Sequence, residues 1–87
     1  MRSPEATASI LEEIQETMRV TFGDSTIAIG LDTTAEDIDG WDSLAHTRLI
    51  IALENRFGMM FPGERLFDLT SVGELMEVIG VSRQDRE

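Results

Sequence analysis

The stretch Gly40-Trp41-Asp42-Ser43-Leu44-Ala45-His46-Thr47-Arg48-Leu49-Ile50-Ile51-Ala52-Leu53-Glu54-Asn55-Arg56-Phe57-Gly58 decides how the rest of the chain is read. Asp42 and Ser43 both carry oxygens suited to capping a helix, and nothing from Leu44 to Phe57 breaks one. Leu49, Leu53 and Phe57, joined by Ile50, recur at helical spacing and predict a buried stripe, with Gly58 ending the helix. Leu44, Thr47 and Ile51 fall on a different side. This helix is therefore apolar on more than its core face, and exposed apolar patches often mark partner surfaces.

Working outward, Ser3-Pro4 reads as the cap and first residue of an earlier helix. Ile10, Ile14, Met18 and Phe22 follow at every fourth position, with Leu11 widening the stripe. Glu12, Glu13, Glu16 and Arg19 take the opposite side, and Gly23 ends the helix. Residues 24–42 form a long connection with Gly30, Gly40, the Thr33-Thr34 pair and five Asp. Connections of that length are usually functional or conceal a short element. Ile27, Ile29 and Leu31 alternate like a strand, but a lone strand has nothing to pair with, so they are expected as apolar pegs beneath the bundle. Ala35-Glu36-Asp37-Ile38 fits a single helical turn after a threonine cap.

Downstream, Met59-Met60 is expected to fill a turn, and Pro62 stops any continuation of the central helix. Gly63 to Leu69 accommodate a short helical turn in which Leu66 and Phe67 are expected in the core. Ser71-Val72-Gly73-Glu74 has the spacing of a capping box. Val72, Leu75, Met76 and Ile79 then supply the apolar face of a last helix, expected to end at Gly80, with a charged tail to Glu87. The predicted fold class is all-α: a small four-helix bundle of three main helices and one short one, with a long first loop. Residues 1–87 make one domain, with its core at about 5–80 and a frayed tail at 81–87.

Composition narrows the chemistry. Seven Lys plus Arg against seventeen Asp plus Glu give a net charge of -10, which repels nucleic-acid phosphates and anionic lipid and favours partners with basic patches. The same charge opposes self-association, so a monomer is expected. The longest apolar run, Leu49 to Leu53, is far short of the roughly 18 residues that span a bilayer. No secretory segment follows Met1, and the chain has no Cys and one His. Thiol catalysis and Cys-rich metal sites are excluded, and an intracellular protein that is not an enzyme is expected. The acidic loop is not an EF-hand. Placing Gly40 at the sixth position puts Ala35 and His46 where acidic ligands belong.

Ser43 is the residue that carries chemistry. A serine at a helix N-terminus after a long loop presents its hydroxyl to solvent, beside backbone N–H groups and a positive helix end that suit a phosphate. The series Asp42-Ser43-Leu44, Leu49, Leu53-Glu54, Phe57, Phe61-Pro62, Leu69 and Val72 resembles the acyl carrier protein family without a gap, over roughly residues 5–80. The resemblance implies 4'-phosphopantetheine, delivered from coenzyme A by a phosphopantetheinyl transferase with Mg2+ and attached to Ser43. Asp42 and Leu44 flank it in the motif. The arm's thiol would hold acyl groups as thioesters. Leu44, Thr47, Ile51 and Glu54 would dock acyl-loading and acyl-transferring enzymes.

Each residue also has a plainer reading. Ser43 and Asp42 serve equally as caps, and Trp41 as a packed lid over the loop. His46, three residues after Ser43, shares its helix face and could touch the phosphodiester or a partner, but no third group or oxyanion hole supports a hydrolase. The sequence also departs from the family's housekeeping members in fatty-acid synthesis, whose second helix is nearly continuously acidic. Here Ala45, His46, Arg48, Asn55 and Arg56 interrupt the acids, leaving Asp42 and Glu54. This points to a discrete carrier of a specialised pathway such as polyketide assembly. The alternatives are an aminoacyl or peptidyl carrier, whose serine usually follows Gly-Gly, and an unmodified acidic interaction module.

Overall fold

Ile10, Ile14 and Met18 are fully buried on one side of α1 (Pro4–Phe22), as their spacing requires. In the computed structural model, which describes the backbone of residues 4–85 and the side chains of 9–81, α1 packs against α2 (Ser43–Phe57) and α3 (Val72–Asp85). The cap expected at Ser3 lies outside the described residues. Leu49, Ile50 and Leu53 of α2 and Val72, Leu75, Met76 and Ile79 of α3 complete the core with Leu69. Two short 3₁₀ segments, Ala35–Asp37 and Gly63–Asp68, occupy the connections. The architecture is helical, in the predicted order.

Gly58 ends α2 with φ at 63°, a left-handed turn that L side chains resist. Ser71 begins α3: its hydroxyl accepts from the Glu74 N–H at 3.2 Å and donates to the Glu74 carboxylate at 2.9 Å. Gly80 does not end this helix. It is buried within it, and α3 continues to Asp85. Glycine's cost of about 1 kcal/mol in a helix interior is small enough for packing to override.

The long connection is pinned along its length. Arg19 Nε donates to Ile27 O at 2.7 Å, and the Ile29 N–H donates to Gln15 Oε1 at 3.0 Å. Arg19 therefore belongs to the loop contact and not to the solvent side of α1. Asp24 accepts from the Thr26 hydroxyl and N–H, and these bonds hold its carboxyl below the usual range. Any stability this gives is present above that range and is lost as pH falls.

Farther on, Thr34 and Ser71 form one antiparallel bridge, with Ala35 N–H to Thr70 O at 2.8 Å and Val72 N–H to Thr33 O at 2.9 Å. The bridge lies beyond Ile27, Ile29 and Leu31, which among the described residues pair with no strand, as expected. Ile27 is buried and Ile29 half-buried, but Leu31 is exposed, because the Gly30–Thr33 turn rotates the chain outward before it reaches the bundle.

A similar correction applies to Phe67, which is 61% exposed. A 3₁₀ segment has three residues per turn, so Leu66 and Leu69 share its inward side and Phe67 is turned away. Met59 is buried in the turn after α2, and Met60 is exposed. Arg56 bridges helices by pairing with Glu13 at 3.4 Å and Glu16 at 2.8 Å. Exposed pairs of this kind contribute at most about 1 kcal/mol.

Candidate functional site

Gly40, with φ at 89°, turns the end of the loop so that Trp41 enters the core and Asp42 begins α2. Asp42 is the cap: its Oδ1 accepts from the Ala45 N–H at 2.9 Å, and its carbonyl accepts from the His46 N–H at 2.7 Å. Ser43 is the first residue of the helix proper. It is exposed, and among the described residues its hydroxyl has no hydrogen-bond partner. Among the described residues, neither the Ser43 nor the Leu44 N–H has an acceptor, leaving two free donors at the positive end of a 15-residue helix. This is a suitable environment for a phosphodiester carried on Ser43 Oγ.

The division of labour between the two residues is testable. Asp42→Ala should cost about 1 kcal/mol, within the 0.5–2 kcal/mol range of lost caps, in chemical denaturation. A change of only a tenth or two would show that the Asp42 bond does not hold the helix end.

Ser43 lines an open cleft of about 250 Å³ together with Ala35, Trp41, Asp42, His46, Phe67 and Thr70. A second groove of about 300 Å³, between the Gly63–Asp68 segment and α3, does not include Ser43 in its lining.

Trp41 is buried, as a packed lid should be, but His46 is buried with it, at 3% exposure. The Trp41 indole donates to His46 Nδ1 at 2.9 Å, and His46 Nε2 lies 2.7 Å from Leu66 O. The imidazole therefore cannot reach outward to a phosphodiester or a partner. Helical side chains lean toward the N-terminus, which tips His46 over Trp41 instead of beside the Ser43 hydroxyl. The sequence signal for this contact is a tryptophan at i−5 whose N–H, once buried, needs an acceptor.

On the outward side of α2, Leu44 is 64% and Ile51 53% exposed, and Thr47 is half-buried with its hydroxyl donating to Ser43 O. Glu54 is half-buried. Its Oε2 accepts from the Phe61 N–H at 2.9 Å and so braces the turn after α2.

Comparison with known proteins gives concordant results. Residues 8–79 match the family model described as the phosphopantetheine attachment site. An acyl carrier protein of Streptomyces coelicolor is 34% identical over 67 residues, covering 76% of this chain and 73% of the relative. The fold is similar to the solution NMR structure of a holo acyl carrier protein from Geobacter metallireducens. That match has a TM-score of 0.78 and 32% identity, and covers 90% of this chain and 92% of the other.

Proposed function

Because the chain belongs to the acyl carrier protein family, whose members are carriers and not enzymes, we propose that Ser43 Oγ is the atom that bears its covalent phosphopantetheine. One observation carries the choice of atom. The capping work at the start of α2 is done by Asp42, so the adjacent hydroxyl is exposed and uncommitted. In the modification, Ser43 Oγ forms a bond to the phosphorus nearer the pantetheine of coenzyme A. The pyrophosphate bond breaks, the nucleoside 3',5'-bisphosphate leaves, and the serine proton passes to the transferase. The Ser43 and Leu44 N–H groups then face the phosphodiester. Once attached, the arm supplies a thiol that holds acyl groups as thioesters.

Leu44, Thr47 and Ile51 form the docking stripe beside the arm, and Glu54 leaves its other oxygen to a basic group of the partner. The charge of -10 steers enzymes with basic patches toward the chain over distances longer than any contact. The chain works as a monomer in the cytoplasm, where coenzyme A is available. Among the described residues, no helix is long and apolar enough to cross a membrane.

The pathway is a specialised one, such as polyketide assembly. Support comes from α2, where Arg56 is tied to α1, Arg48 is exposed, and Glu54 is partly committed to Phe61. Local recognition therefore differs from that of a continuously acidic helix. With a ketosynthase of ordinary fatty-acid synthesis, the pantetheinylated protein should be roughly tenfold or more poorer in kcat/KM than the cell's standard carrier, a loss of about 1.4 kcal/mol of recognition. Equal service to that enzyme would rule out the specialised assignment.

A further inference from the structure

The four rings of Phe22, Trp41, His46 and Phe67 form a continuous run from the end of α1 to the surface beside Ser43, with successive centroids 6.4, 5.9 and 6.0 Å apart. His46, one of the two inner rings, is the only histidine in the chain. An indole N–H can only donate, so Nδ1 of His46 must be the unprotonated nitrogen. Nε2 then carries the hydrogen and donates to Leu66 O. Both bonds require neutral imidazole in this one tautomer.

We propose that His46 is a proton-sensitive positioning residue for the Ser43 site. Neutral, it ties the turn ahead of Ser43 to the Gly63–Asp68 segment. Protonated, it releases Trp41. A proton on Nδ1 sets two N–H groups against each other across 2.9 Å in a buried position, and one of them must move. Trp41, His46 and Phe67 all line the same cleft as Ser43, so that movement changes the surface on which the hydroxyl and its arm are presented.

The charged residues on the elements next to the ring are Asp42 and Arg48 on its own helix, Asp39 in the loop, Glu36 and Asp37 in the first 3₁₀ segment, and Glu64, Arg65 and Asp68 in the second. The ring's hydrogen bonds go to Trp41 and Leu66 and to none of these. Aromatic faces attract a cation, but the Trp41 and Phe67 centroids lie at the outer limit of about 6 Å for that attraction.

The test uses the full chain and its one indole. On acidification, the indole N–H signal in NMR should shift in one transition shared with the imidazole C–H signals. Its hydrogen exchange should outpace the ordinary pH trend by about tenfold. In His46→Gln, which keeps an acceptor for Trp41 and a donor for Leu66 without a titratable group, the indole signal should stay flat. A flat wild-type signal, separate midpoints for indole and imidazole, or an equal shift in the Gln variant would overturn the proposal. The midpoint comparison needs no variant and holds even if His46→Gln does not fold.

The functional arm rests on the Ser43 reading and uses a broad-specificity phosphopantetheinyl transferase with coenzyme A. The ratio of wild-type to His46→Gln kcat/KM cancels the transferase's own pH dependence. It should fall severalfold as the pH is lowered through the transition that the indole signal reports. A constant ratio would remove the positioning role. Absence of transfer to either protein at any pH would count against the Ser43 reading, while the indole titration decides the release of Trp41 independently.

Discussion

Leu53→Ala is expected to lower stability by about 2–5 kcal/mol, a large part of the roughly 5–15 kcal/mol that holds a small domain together. Leu53 is fully buried on α2, the helix that contacts both α1 and the Gly63–Asp68 segment. Truncation therefore removes its burial and leaves a cavity between these elements. At roughly 4–8 °C per kcal/mol for a domain of this size, the melting temperature should fall by about 8–40 °C. Met60→Ala, at a side chain 78% exposed, is the matched control and should change stability by less than about 0.5 kcal/mol. A Leu53→Ala loss below about 1 kcal/mol would mean that α2 is not the centre of the core.

Ser43→Ala is expected to separate chemistry from folding completely. Asp42 supplies the cap and the Ser43 hydroxyl bonds to nothing among the described residues, so the variant should unfold within about 0.5 kcal/mol of wild type. Its capacity to accept phosphopantetheine should nevertheless be zero, because no neighbouring oxygen can stand in. The nearest hydroxyl along α2, Thr47, is half-buried and donates to Ser43 O at 3.1 Å. An interaction module that used Ser43 only to cap its helix would show the opposite pattern. Stability would drop by about 1 kcal/mol, and no chemistry would be lost.

The helices were legible because their signals are periodic and local. The fourfold spacing of Ile10, Ile14 and Met18, the break at Gly58 and the box from Ser71 to Glu74 need no tertiary information. The start of α2 at Asp42 and Ser43 was legible for the same reason. What escaped was set by contacts distant along the chain. Arg19 looks like a solvent-side cation until Ile27 O is folded back over it. The Thr34–Ser71 bridge joins residues 37 positions apart. Phe67 looked like a core residue, because hydrophobicity does not reveal which side of a 3₁₀ turn faces inward. His46 looked like a site residue by its spacing from Ser43, whereas the deciding fact is the indole N–H buried against it.

The central claim is that Ser43 Oγ bears the arm, and mass spectrometry with site localisation tests it most directly. The folded chain is incubated with coenzyme A, Mg2+ and a broad-specificity phosphopantetheinyl transferase, or with its cognate transferase. Its intact mass is then read, and the modified peptide is fragmented. A gain of one phosphopantetheine per chain, localised to Ser43, is expected. A folded chain that gains no mass with either enzyme, or that gains it at another residue, would contradict the account.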